Sequence, residues 1–133
     1  NQLYYLAMTI TPTSGLAAPT HTPGGNATTV LASPALGAHD LLVIHQEQAP
    51  GGMNPMHSKS TEAVVIALEG ELEIVGTDET RRLRRGDSAL ITAGTLHQLR
   101  NAADVTASWL VVTPGDVTFT NPDGEVVQPG WAR

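Results

Sequence analysis

Gly86-Asp87-Ser88-Ala89-Leu90-Ile91-Thr92-Ala93-Gly94-Thr95-Leu96-His97-Gln98-Leu99-Arg100-Asn101 (GDSALITAGTLHQLRN) holds two short apolar-rich segments on either side of a glycine turn. It predicts strands near 88–92 and 97–101. Gly86, Gly94 and Asn101 read as positions that shape the backbone in turns, not as catalysts. His97 follows the Ala93-Gly94-Thr95-Leu96 segment and opens a strand, which makes it a candidate site residue.

The same grammar extends in both directions. Strands are expected near 28–32, 40–48, 61–69, 71–76, 79–85 and 105–113, with a short one near 117–120. Pro50-Gly51-Gly52, Gly70 and Asn121-Pro122-Asp123-Gly124 supply the turns. Helix signals are almost absent. The 133 residues match one domain, with 13 Gly and 9 Pro punctuating short β-branched runs. The class is therefore all-β, and a double-sheet jelly-roll barrel with an open mouth suits this spacing because it removes most exposed strand edge. Residues 8–27, rich in Thr, Pro, Gly and Ala, read as an N-terminal arm to a barrel domain spanning 28–133, which ends in a short C-terminal tail. Residues 1–7 (NQLYYLA) resemble the remnant of a cleavable expression tag, with Met8 as the natural start.

A net charge of −6 with only seven Lys and Arg argues against nucleic acid, whose phosphates need a basic face. Arg81, Arg82, Arg84 and Arg85 form the one basic run, and beside a strand they read as solvated surface. No cysteine is present, which excludes disulfides, zinc thiolates and thiol nucleophiles. The apolar run at 3–10 is too short for a membrane span and lacks a basic leader, so no membrane role and a soluble, cytoplasmic protein are expected.

Five histidines stand at 21, 39, 45, 57 and 97, and no two share the spacing of a metalloprotease helix. His57, like His97, follows a glycine-containing turn and opens a strand, so both fit one end of a barrel. Here the chain resembles the cupin family. Its second motif, G-x5-P-x-G-x2-H-x3-N, runs from Gly86 through Gly94 and His97 to Asn101, with every spacing kept and Thr92 in place of the proline. The first motif, G-x5-H-x-H-x3-E-x6-G, aligns on Gly51, His57, Lys59, Ala63 and Gly70, so two of its three metal ligands are replaced. The segment at 64–74 (VVIALEGELEI) is typical of cupin strands. The resemblance covers about 28–119 and implies the fold more securely than the chemistry.

A cupin with the full set holds iron, manganese, nickel, zinc or copper on three His and one Glu. In this chain the resemblance leaves His57 and His97 as metal ligands, with Glu62, His45, Gln98 or water to complete the set. Residues of one parity share a strand face, so His57, Lys59, Thr61, Ala63, Val65 and Ala67 are expected to point inward, and Glu62 outward unless a bulge shifts the register. The ligand pocket is therefore placed at His57, Lys59, Ala63 and His97. Lys59 is the only lysine in the chain, and its ammonium has no lone pair to give a metal. It either swings out to solvent, supplies the positive charge that a metal provides elsewhere, or acts as an activated amine. His21 and His39 read as exposed, Trp109 as packing, and Trp131 as packing, a barrel closure or a buried partner contact.

Three functions follow: a metal-dependent, dioxygenase-like oxidoreductase; a metal-free binding or sensing module for a small anionic ligand; and a metal-free isomerase or lyase using histidine as acid and base. The family resemblance also implies a homodimer.

Overall fold

The protein is described by a computed structural model over residues 9–132; the segment at 1–7 and Met8 lie outside the described residues. Twelve strands and two single-turn 3-10 helices follow in order: β1 (Thr20–Thr22), β2 (Asn26–Ala32), a helix at Pro34–Leu36, β3 (Leu41–Gln48), β4 (Ser58–Lys59), β5 (Ala63–Glu69), β6 (Glu71–Val75), β7 (Thr80–Arg84), β8 (Ser88–Ile91), β9 (Gln98–Arg100), β10 (Ala107–Pro114), β11 (Phe119–Thr120), β12 (Val126–Val127) and a helix at Gly130–Ala132. The all-β jelly roll expected from the sequence is the architecture found. One sheet runs β1-β2-β3-β10-β5-β8, and two three-stranded sheets, β7-β6-β9 and β12-β11-β4, complete the barrel.

Every pairing is antiparallel, and the side-chain alternation sets what each strand buries. In β5 the odd positions Ala63, Val65 and Ala67 are buried, and across it Trp109 and Val111 of β10 turn the same way. The opposing face contributes Leu72, Ile74, Leu83 and Leu99. Aliphatic residues fill most of the core, and burying each Leu or Val contributes about 1.5–3 kcal/mol. Trp109, fully buried, is the largest side chain at the centre.

Three short strands went unread in the sequence: β1, β4 and β12, each of two or three residues. The segment expected as one strand at 61–69 is instead β5 from Ala63, preceded by a bend at 60–61 and the short β4. The parity survives the interruption, because Lys59 and Ala63 are both buried while Glu62 is exposed. The arm is joined to the sheet, since Thr20–Thr22 pairs with the first residues of β2. Gly70 shows why glycine is needed between β5 and β6: its φ is +70°, and a Cβ there would stand 2.7 Å from the Thr106 carbonyl oxygen. Among the described residues no helix is long and apolar enough to cross a membrane.

Candidate functional site: a lysine between two imidazoles

The sequence around His57 and His97 joins these residues before any side chain acts. Each backbone N–H donates to the other's carbonyl oxygen at 2.9 Å, forming an isolated antiparallel bridge. The turn before His97 is anchored to the same place, because the N–H of Gly94, at φ +78°, donates to the Lys59 carbonyl at 2.8 Å. The imidazole rings lie 4.5 Å apart between centroids.

Both rings are fixed in one tautomer by their own loops. Nδ1 of His57 lies 2.9 Å from the Pro55 carbonyl and Nδ1 of His97 lies 2.8 Å from the Thr95 carbonyl. A carbonyl only accepts, so each Nδ1 carries the proton and each Nε2 presents a lone pair. Both lone pairs meet Lys59, whose Nζ is 3.1 Å from His57 Nε2 and 3.4 Å from His97 Nε2. The ammonium thus donates to two neutral imidazoles. Lys59 is only 7% exposed, which overturns the reading that it swings out to solvent.

The electrostatics follow from that arrangement. Burial pushes the Lys59 ammonium down to about 8. Burial, then the Lys59 charge, then His97, hold His57 down at about 3, against an opposing hydrogen bond to Pro55. Burial and Lys59 hold His97 at about 4. At neutral pH the cluster is one cation on two neutral rings.

This cluster borders a cavity of about 280 Å³ inside the barrel. His57 and Lys59 line it, while His97, 1% exposed, is packed against them and is not itself on the wall. Ile44, Leu99, Val111 and Phe119 make the wall apolar, and Trp131 of the tail borders it, edge-on to Phe119 at 5.6 Å between centroids. Lys59 Nζ also lies 5.7 Å from the centre of the Phe119 ring, within reach of a cation–π attraction.

The remaining sequence candidates lie elsewhere. Ala63 is a core residue at 2% exposure, beside Val65 rather than on the cavity wall. Glu62 is exposed and His45 sits on the outer face of the large sheet, opposite Leu110, beside a shallow depression with Glu47 and Arg85. Gln98 is engaged with the Asn54 carbonyl at 2.9 Å. His21 is exposed, and His39 is paired at the surface with Asp40. Asn101 knits loops, donating to Gln48, Ala49 and Val105 carbonyls. The arginine run is surface, with Arg81 on Glu79 and Arg82 and Arg84 on Glu71.

Sequence reasoning missed Thr28 and Gln46, which face the cavity from β2 and β3. The signal was present in LLVIHQEQ, where the inward positions read Leu42, Ile44, Gln46, Gln48 and so place amides on a face begun by aliphatics.

The cupin domain model matches residues 44–113, just over half of the chain, and the chain belongs to the cupin family. It is 29% identical over 91 residues to the tetracenomycin polyketide synthase protein TcmJ of Streptomyces glaucescens; the match covers 68% of this chain and 61% of that protein. The chain therefore spans about three fifths of the curated relative it matches. Among solved structures it resembles the polyketide cyclase RemF from Streptomyces resistomycificus, with a TM-score of 0.71, 21% identity, and coverage of 94% of this chain and 90% of that one. It also resembles a cupin sugar phosphate isomerase from Silicibacter pomeroyi, with a TM-score of 0.64, 22% identity, and coverage of 85% and 87%. At these identities the structural likeness speaks for the fold.

The metal centre that the family resemblance implies does not fit the residues present. No group of three or more His, Cys, Asp or Glu is placed to hold a metal among the described residues. The point on which both Nε2 lone pairs converge is taken by a hydrogen-bonded ammonium, a cation without a lone pair.

Proposed function

We propose that this cupin is a metal-independent acid–base protein, in which Lys59 holds a carbonyl or enolate oxygen of a small, largely apolar organic substrate and exchanges a proton beside it. The observation that carries this reading is the Lys59 ammonium fixed by two neutral imidazoles at the border of an apolar-walled cavity. A positive charge held in that setting stabilises an oxyanion without having to reorganise.

The chemistry balances without a co-reactant. As the free amine, Lys59 takes the proton from a carbon next to the carbonyl, and the C–H electron pair moves into the enolate. The ammonium so formed donates to the enolate oxygen. When the enolate carbon attacks a second carbonyl, a C–C bond forms and the new alkoxide takes the proton back. A lysine near pKa 8 suits both halves, since an acid–base group works best close to the operating pH. His57 and His97 position the amine and stay neutral. The names of TcmJ and RemF favour a poly-oxygenated, polyketide-like substrate, for which such a closure is the relevant reaction.

The test uses acetophenone as a probe, with binding read by calorimetry and α-proton exchange read by NMR in deuterated buffer. Both are expected to survive dialysis against a chelator and to be lost in Lys59→Met. Loss on chelation with recovery on adding a divalent ion would contradict the reading, and binding without exchange would reduce the protein to a ligand-binding module.

A further inference from the structure

Two of the polar residues on the cavity wall are buried and face each other. Thr28 and Gln46 are cross-strand partners on β2 and β3, 2% and 7% exposed, and both line the cavity beside Ile44, Val111 and Phe119. Buried polar side chains on an apolar wall cost free energy unless they are bonded, so their bonds can be counted.

The count leaves donors unspent. The Trp109 ring nitrogen only donates, and it lies 2.9 Å from Gln46 Oε1, which fixes the amide orientation. Gln46 Nε2 then faces Thr28 and donates to its hydroxyl oxygen at 3.0 Å. That hydroxyl accepts from Gln46, so its own proton is directed elsewhere. Gln46 Nε2 also has a second proton. Neither meets another acceptor in a hydrogen bond among the described residues. Asn26 beside them is different: its amide donates to the Pro23 and Met53 carbonyls and its oxygen accepts from Gln48, so it is fully engaged.

From this geometry we infer that Thr28 and Gln46 form a second oxygen-reading subsite, on a different sheet from Lys59, which selects ligands carrying a second acceptor oxygen. The inference rests on the proposed role of Lys59 and deepens it. Lys59 comes from the sheet containing β4 and the Thr28–Gln46 pair from the large sheet, so a ligand held by both bridges the two walls. Its body lies against Ile44, Val111 and Phe119. Both subsites offer donors, so the preferred ligand class carries two separated carbonyl or phenolate oxygens on an apolar, conjugated frame. An ammonium in the second position is disfavoured, because it brings only donors to donors.

Two probes of one frame, acetophenone and 1,4-diacetylbenzene, isolate the second oxygen. Calorimetry on the whole chain is expected to give about tenfold tighter binding of the diketone, where its two equivalent ends alone account for about twofold; a hydrogen bond worth about 1 kcal/mol supplies the remainder. Thr28→Val keeps the shape and removes the donor. It is expected to lower the ratio from about ten towards about two, weakening the diketone more than acetophenone because only the diketone reaches the pair, and Thr28→Ser to restore the preference. A twofold ratio in the wild type, or an equal loss for both probes in Thr28→Val, would overturn the subsite. Acetophenone affinity unchanged in Lys59→Met would instead sink the lysine reading, while failure of the wild type to bind either probe would overturn both.

Discussion

Lys59 is a buried cation with no carboxylate paired to it among the described residues, held only by neutral partners. Such a charge costs stability below its own pKa, because the unfolded chain solvates the ammonium better. Lys59→Met removes that cost but leaves two Nε2 acceptors without a donor, so the two effects offset and the fold is expected to change by no more than about 1 kcal/mol at pH 7, while acetophenone binding is abolished. Differential scanning calorimetry beside a binding titration checks both. The imidazoles have the opposite pH signature. Their folded values, about 3 and 4, lie below the unfolded 6.5, so the unfolded state takes up protons first as pH falls. Stability is expected to fall from pH 6.5 towards pH 4, and a urea midpoint that stays level over that range would contradict this. Lys59→His should convert the cluster into three imidazoles and bind about one equivalent of zinc by elemental analysis. The pairing of His57 with His97 was legible from their like placement after glycine-containing turns and from the cupin motifs, not from their spacing. The direction of Lys59 was not, because a flexible stem permits burial or exposure and only the two Nε2 acceptors decide it.

At the scale of elements, the strands that carry apolar alternation were legible, since β5 and β6 each bury every second residue. β1, β4 and β12 were not. β4 is Ser58–Lys59, and its pairing with Phe119–Thr120, the short strand expected near 117–120, is a tertiary event that no local period announces. Yet β4 positions Lys59, so the element that matters most to the site was the least visible. Gly70 offers a test of the turn logic: Gly70→Ala meets both an unfavourable φ and the Thr106 carbonyl, and is expected to cost about 1–3 kcal/mol in a urea titration. A loss under 0.5 kcal/mol would show that the backbone gives way.

At the scale of the molecule, the barrel presents two surfaces from one large sheet. The inner face makes the cavity; the outer face carries half-buried Val43, Val64, Ile66, Leu110 and Val112, with more exposed Leu41 and Leu90 on flanking strands. We propose that, if the chain pairs as the family resemblance implies, it does so through that outer face. Glu47, Glu69 and Arg85 bring both charge signs to it, which is compatible with a face that meets its own copy. Light scattering is expected to give twice the chain mass of 13.9 kDa, and a clean monomer would contradict the assignment.

The central claim, that an ammonium bridges two neutral imidazoles, is most directly tested by nitrogen-15 NMR of the histidine rings between pH 5 and 8, with and without zinc. His57 and His97 should both show the neutral, Nδ1-protonated form throughout, unchanged by zinc and altered in Lys59→Met. Rings that titrate near 6.5, or that shift on adding zinc to the wild type, would contradict it.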